Sequence, residues 1–252
     1  MRSQPPPGAV RWLTGFIDLQ SEGFDAACSF WQELTRSTLS PPRGPAGEFA
    51  TLVPENGDAF VRVQRLGSGS AGCHLDIHFD DVGTGRALAT SLGATPLRPP
   101  AFVSPGGLAF CVVPHRGEAH RPTPLVWPDG HRSLVDQMCL DIPPRQFDDE
   151  ASFWAALTGW ERRSGSRPEF EYLLRPPGIP LRLLLQHLDE DQPGPCRAHL
   201  DLACDDVISE QKRHELLGAT VVRAMPNWTT MRGPAGTEYC ITRRDPFSGV
   251  IP

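Results

Sequence analysis

The sequence has no basic stripe and no long apolar run, and each of these shortages argues against a class of protein. Lys212 is the only lysine among 252 residues, and the formal net charge is −6. An acidic chain without a basic stripe argues against a nucleic-acid-binding surface. No apolar segment approaches the roughly 20 residues that cross a bilayer, and MRSQPPPGAV at the start lacks the apolar region of a signal peptide. We therefore expect a cytoplasmic protein without nucleic-acid or membrane partners.

The cysteines lack the spacing of a metal-binding or disulfide framework. They lie at positions 28, 73, 111, 139, 196, 204 and 240. Their number is odd and none forms a CxxC pair, which predicts reduced thiols and argues against a structural zinc site.

An internal duplication organises the chain. The segment IDLQSEGFDAACSFWQELT at 17–35 aligns with LDIPPRQFDDEASFWAALT at 140–158, so that Asp18 matches Asp141. The later matching blocks keep the same order: HLDIHFDDV (74–82) with HLDLACDDV (199–207), LGAT (92–95) with LGAT (217–220), and SPGGLAFCV (104–112) with GPAGTEYCI (233–241). Four ordered matches indicate two homologous repeats.

The repeats predict two domains of mixed strand and helix. We place a disordered tail at 1–10, domain 1 at 11–113, a Pro/Gly-rich linker at 114–132 and domain 2 at 133–246. Within a repeat, the periodicity alternates twice between a strand, a helix and further strands, which is typical of an α+β fold. In the first repeat, Asp81 is a plausible N-cap of the second helix and Gly93 its terminating residue.

The ordered motifs of the two repeats resemble one family. FWQEL and FWAAL, VQRL and LQHL, HLDI and HLDL, and the two glycine-containing hairpins are together similar to the vicinal oxygen chelate superfamily, in particular to tandem glyoxalase-like proteins common in actinobacteria. The similarity covers 11–113 and 133–244. It implies two βαβββ modules per domain, a cupped mixed sheet with helices on its outer face, and a cavity inside the cup.

The resemblance also implies where metal ligands would lie. The fifth-strand histidine corresponds to His74 and His199, the last-strand glutamate to Cys111 and Cys240, the fourth-strand carboxylate to positions near Gln64 and Gln186, and the first-strand ligand to 13–16 and 136–139. These positions lack the carboxylates that hard divalent cations prefer. We therefore predict no metal and no other cofactor, with a divalent metal as the disfavoured alternative. Cys111 and Cys240 are expected to pack as small apolar residues.

The stretch CHLDIHFDD places His74, Asp76 and His78 on one face of a predicted strand. His-x-Asp recurs as His199 and Asp201, whereas Ala203 takes the place of His78. This face is either a solvated sheet surface or part of a ligand pocket.

On the pocket interpretation, two sets of residues are assigned. The candidate acid–base residues are His74, Asp76, His199 and Asp201, and the candidate ligand-binding residues are Gln64, His78, Gln186 and Trp228.

Three functions remain open at this point. The first is a binding protein of the bleomycin-resistance type for a small organic molecule, as a monomer or homodimer. The second is a metal-independent lyase, isomerase or cyclase that uses the His–Asp pairs. The third, a divalent-metal glyoxalase or dioxygenase, is disfavoured by the missing carboxylates.

Overall fold

The computed structural model describes residues 8–189 and 194–251. Most of the predicted tail lies outside the described residues, and its last residue, Val10, already belongs to the first strand. No described helix is long and apolar enough to cross a membrane.

The first repeat forms one eight-stranded mixed sheet. Its strands are β1 (Val10–Gln20), β2 (Thr38–Leu39), β3 (Phe49–Val53), β4 (Val61–Leu66), β5 (Gly72–Phe79), β6 (Thr95–Pro96), β7 (Ala101–Val103) and β8 (Ala109–Pro114). Its helices are α1 (Phe24–Thr35) and α2 (Val82–Ser91). The strand order is β2-β3-β4-β1-β5-β8-β7-β6, with parallel pairing of β1 with β4 and of β5 with β8.

The second repeat forms a nine-stranded sheet with the same order. Its strands are β9 (Leu125–Val126), β10 (Arg132–Ile142), β11 (Arg162–Ser164), β12 (Phe170–Leu173), β13 (Arg182–His187), β14 (Arg197–Cys204), β15 (Thr220–Met225), β16 (Trp228–Arg232) and β17 (Glu238–Arg243), and its helices are α3 (Phe147–Thr158) and α4 (Val207–Leu216). The order is β11-β12-β13-β10-β14-β17-β16-β15, with β9 added beside β10. The predicted α+β fold with two βαβββ modules per repeat is confirmed.

Local sequence signals set the helix boundaries. The Asp81 carboxylate accepts a hydrogen bond from the backbone N–H of Gly83, and Asp206 does the same at the start of α4. Gly93 follows α2 with φ +98°, a conformation that favours glycine. Both predictions for α2 are confirmed. The two-residue strands β2, β6 and β9 were not predicted, because such short runs show no alternation.

The contacts of the chain divide it into two compact units. Unit 1 contains the described residues of 1–14, 74–119 and 139–198, and unit 2 contains those of 15–73, 120–138 and 199–252. Each unit therefore combines one βαβββ module from each repeat. The predicted domain boundaries follow the repeats and stay a prediction.

Aromatic side chains of the helices fill the core of each unit. In unit 1, Phe153 and Trp154 of α3 lie 5.7 and 5.3 Å from the Phe110 ring. In unit 2, Phe30 and Trp31 of α1 lie 5.9 and 5.3 Å from Tyr239. All of these rings are buried, as aromatic residues on the core-facing side of an amphipathic helix are.

A fully buried carboxylate in unit 2 is paired on every side. Glu210 accepts hydrogen bonds from Arg213 Nε at 2.9 Å and Arg213 Nη2 at 2.8 Å, and it contacts His131 Nε2 at 2.7 Å and His214 Nε2 at 3.1 Å. Burial alone would raise the pKa of Glu210, but the hydrogen bonds from Arg213 and His214 outweigh it and hold this pKa far below its ordinary value.

We predict that Glu210→Gln lowers the free energy of unfolding by roughly 3 kcal/mol at pH 7, because it leaves Arg213 without its buried anionic partner. A carboxyl whose folded-state pKa is depressed stabilises the fold above its unfolded pKa of about 4.3, and this contribution is lost as pH falls through the folded pKa. The difference between wild type and variant should therefore shrink below pH 4. Denaturant unfolding at a series of pH values tests this, with the exposed Glu215→Gln as control. A difference that is independent of pH would contradict it.

Candidate functional site

Strand β5 carries a polar cluster on the face opposite to its core face. Leu75 and Ile77 are fully buried, whereas His74 and Asp76 alternate with them on the other face. Cys111 of β8 is the register partner of Asp76 in the parallel pair. The ligating atoms of His74, Asp76 and Cys111 all lie within 4.8 Å of one another. We call these three residues the first cluster; all of them belong to unit 1.

Strand β14 carries the same residue types at the equivalent positions. The Asp201 carboxylate lies 3.2 Å from His199 Nε2, and Cys240 Sγ lies 3.5 Å from the same nitrogen. Cys240 is the register partner of Asp201, as Cys111 is of Asp76. These three residues are the second cluster, and all of them belong to unit 2.

Neighbouring strands hold the second cluster in place. Gln137 of β10 donates a hydrogen bond from Nε2 to Asp201 Oδ2, and both side chains are buried. The Thr230 hydroxyl of β16 lies 3.6 Å from Cys240 Sγ. Burial raises the pKa of the Cys240 thiol, and the nearby His199 only partly opposes this.

The prediction that Cys111 and Cys240, on the last strand of each repeat, pack as apolar residues is wrong. The Cys240 thiol contacts the His199 imidazole, and the Cys111 thiol lies beside His74 and Asp76. The resemblance had placed both cysteines at ligand positions, but the contacts themselves depend on the register of β8 and β17, which has no local signature in the sequence.

His78 lies on the same face of β5, in a set of contacts particular to the first repeat. It is 2 % exposed, its Nε2 lies 2.9 Å from Thr14 Oγ1, and its Nδ1 lies 3.9 Å from Glu118. His115 also contacts Glu118, at 3.6 Å. Thr14 lies within the first-strand window at 13–16, whereas Glu118 was not predicted from the sequence. His78 stays a predicted ligand contact.

The two candidate glutamines lie beside aspartates that sequence analysis missed. Gln64 of β4 is the register partner of Asp18 in unit 2. In unit 1, Cys139 Sγ lies 3.5 Å from Gln186 Oε1 and 3.9 Å from the Asp141 carboxylate. A signal for both aspartates existed, because the repeat alignment matches Asp18 with Asp141. They lie just beyond the first-strand windows at 13–16 and 136–139.

Trp228 and Trp127, two of the tryptophans outside the helices, have different surroundings. Trp228 is half-buried at the start of β16, on the same strand face as Thr230, which contacts the second cluster. Trp127 is buried; its indole N–H donates to Ser133, and the Arg213 guanidinium lies 3.5 Å from its ring centre. Trp228 therefore stays a candidate ligand contact, whereas Trp127 packs against its own unit.

A separate apolar cavity of about 40 Å³ lies in unit 2. Its walls include Leu52, Phe60 and Leu134, and it contains no residue of the second cluster. A space of this size holds two or three water molecules, since one water needs roughly 10–15 Å³. We interpret it as a packing gap.

The donor set of each cluster does not fit a hard divalent cation. Each offers one imidazole, one carboxylate and one thiol. Manganese and magnesium prefer oxygen ligands, and one carboxylate among three donors is a poor set for them.

The paired βαβββ modules define the vicinal oxygen chelate fold, and comparison with known families agrees. A model described as a glyoxalase-like domain matches residues 16–113 and again 137–242. The chain therefore belongs to the glyoxalase-like domain family, with two copies of the domain in tandem. No match was found among curated proteins.

Solved structures with the same fold are enzymes of low sequence identity. A manganese(II)-bound glyoxalase from Novosphingobium aromaticivorans is 18% identical with a TM-score of 0.61, covering 98% of this chain and 88% of that one. A mutant 4-hydroxymandelate synthase from Streptomyces coelicolor is 15% identical with a TM-score of 0.60, covering 94% and 93%. A 2,3-dioxygenase from Pseudomonas sp. KL28 is 12% identical with a TM-score of 0.63, covering 93% and 92%. At this identity the similarity shows the fold alone.

We predict that Cys111 reacts fastest with a thiol reagent in the native protein. It is half-buried, whereas the other six cysteines are buried. Burial also raises the pKa of Cys28 to about 11 and that of Cys73 to about 12, which leaves almost no thiolate there at pH 8. Labelling with an aromatic disulfide should show one fast thiol, absent from Cys111→Ser and retained in Cys28→Ala. Several equally fast thiols would show that the first cluster is no more accessible than the core.

Proposed function

We propose that the protein binds a small organic molecule on the polar face of β5, at the first cluster, without a manganese-type metal site. This proposal rests on one observation: three polar side chains lie close together on the face of β5 opposite to its core face. His74 and Cys111 are half-buried, so the cluster is enclosed and still in part accessible. A few convergent polar groups on a mostly apolar scaffold are typical of a small-molecule site.

The second cluster supports the proposal because it repeats the arrangement of the first, although its side chains are less accessible to solvent. The same three residue types occupy the same register positions on β14 and β17. Cys240 and Asp201 are buried, with exposed fractions of 7% and 2%. The first cluster is therefore the principal binding face, and the second face is the more enclosed of the two. A role like that of bleomycin-resistance proteins, which sequester a compound, is compatible with this arrangement.

A metal-independent lyase or isomerase is the second candidate, because one aspartate is placed to act on the adjacent histidine. The Asp201 carboxylate is 3.2 Å from His199 Nε2. A carboxylate at this distance can orient the imidazole toward a bound substrate, as acid–base catalysis requires. The similar enzymes of known structure do not decide between the candidates, because the same fold hosts many chemistries.

We predict that His74→Ala weakens the binding of a compound found by thermal-shift screening at least tenfold, which corresponds to about 1.4 kcal/mol. His199→Ala should weaken it less, because the second cluster is more enclosed. Affinity is measured by calorimetry with the purified compound, and the exposed His120→Ala serves as control.

Full affinity in His74→Ala would contradict the proposed site. Unchanged binding combined with loss of turnover in the same variant would favour the second candidate instead.

A further inference from the structure

We propose that residues 120–131 form a strap whose end is latched to helix α4 by the protonated imidazole of His131, and that loss of this proton releases the latch. The strap and the residues that hold it all belong to unit 2. None of them is part of the proposed binding face of β5, so the latch and the proposed function can fail separately.

Polar contacts anchor the start of the strap. The Asp58 carboxylate accepts a hydrogen bond from the backbone N–H of His120 at 2.8 Å, and the side-chain oxygen of Asn56 accepts one from the N–H of Thr123 at 2.8 Å. Strap residues also form part of the wall of the apolar cavity of unit 2. Opening of the strap therefore exposes this cavity to solvent.

The other end of the strap is a tight turn between β9 and β10. The backbone N–H of Trp127 donates to the carbonyl of His131, and the N–H of Gly130 donates to the carbonyl of Trp127, both at 2.9 Å. The guanidinium carbon of Arg213 of α4 lies 3.5 Å from the centre of the Trp127 ring, and that of Arg36, which follows α1, lies 4.6 Å from it. The turn is thus packed against α4.

The His131 imidazole joins this turn to α4 through both of its ring nitrogens. Nε2 lies 2.7 Å from the Glu210 carboxylate, and Nδ1 contacts the Asp129 carboxylate. A neutral imidazole has a single N–H, so that one of the two carboxylates faces a lone pair, whereas the imidazolium donates to both. The arrangement therefore fits the protonated form of His131.

His214, the other histidine beside Glu210, has the contacts of a neutral ring. Its Nε2 lies 2.9 Å from the Arg213 guanidinium, which can only donate, and 3.1 Å from Glu210. Its Nδ1 lies 2.9 Å from the Tyr239 hydroxyl, which can donate or accept. Burial lowers the pKa of His214. The cation that can be lost is therefore His131 and not His214.

Charge balance also favours a cation at His131. The charged and titratable groups that face its ring come from the turn and from α4 with its N-cap: Asp129, Asp206, Glu210, Arg213 and His214. Asp206 and Asp129 are exposed, whereas Glu210 is fully buried and is paired with Arg213 at 2.8 Å. Protonated His131 compensates Asp129, whereas a neutral ring leaves an unpaired negative charge beside the buried carboxylate.

The latch weakens as the pH rises. Burial opposes the charge on His131, but the hydrogen bonds to Glu210 and Asp129 outweigh it and raise the pKa of His131 above its ordinary value. Such a histidine stabilises the folded form fully below its unfolded pKa of about 6.5, and the contribution is lost as the pH rises through the folded pKa. We therefore expect the strap to be closed near pH 6 and to open more often in alkaline solution.

Hydrogen exchange of the backbone amides of Trp127 and Gly130, followed by NMR, provides the test. We expect their protection factors, corrected for intrinsic exchange, to fall about tenfold between pH 6 and pH 9, the size of one hydrogen bond to a charged group. Amides in the centre of β14 should keep their protection. His131→Gln should show the low protection already at pH 6, whereas His120→Gln, an exposed histidine of the same strap, should behave as wild type.

A second variant tests the latch without a change to the buried carboxylate. Asp129 is exposed, so Asp129→Asn leaves the core intact. It should move both the fall in protection and the titration of the His131 ring signals to lower pH. Equal protection at pH 6 and pH 9 in wild type, a His131 titration at or below the ordinary pKa of about 6.5, or an unchanged pH dependence in His131→Gln would each overturn the proposal.

Discussion

The two-residue period of a strand, fixed by one buried face, is the constraint on which the candidate site depends. Leu75 and Ile77 cannot leave the core, so His74 and Asp76 must share the opposite face of β5. Parallel pairing with β8 then brings Cys111 opposite the aspartate. The same constraint acts on β14 and β17. Each cluster therefore follows from burial and register, without any special loop.

This dependence explains how much could be predicted from the sequence. The duplication, the helices and the polar face of β5 follow from patterns local to the chain, and all of them are found in the structure. The partners of His74 and His199 depend on strands that lie more than 30 residues away along the chain. Their register has no local signature, and so Cys111 and Cys240 were expected to pack as apolar residues although the resemblance placed them at ligand positions. Asp18 and Asp141 were missed for another reason, because the resemblance directed attention to earlier positions of the first strands.

Both repeats contain a cluster of histidine, aspartate and cysteine, but the residues that contact the cluster differ between them. In the first, His78 contacts Thr14 and lies near Glu118; in the second, Ala203 replaces His78, and Gln137 donates to Asp201 instead. A duplicated site with different supports is what divergence of two binding faces within one chain would produce. Each cluster offers one carboxylate together with a thiol, which is a poor donor set for a manganese ion.

The convergence of imidazole, carboxylate and thiol on one face of β5 is the central claim, and a crystal structure of the protein with a compound found by thermal-shift screening tests it most directly. The account predicts that the compound lies on this face, in contact with His74, Asp76 or Cys111. A compound bound elsewhere on the chain, with the first cluster left free, would contradict it.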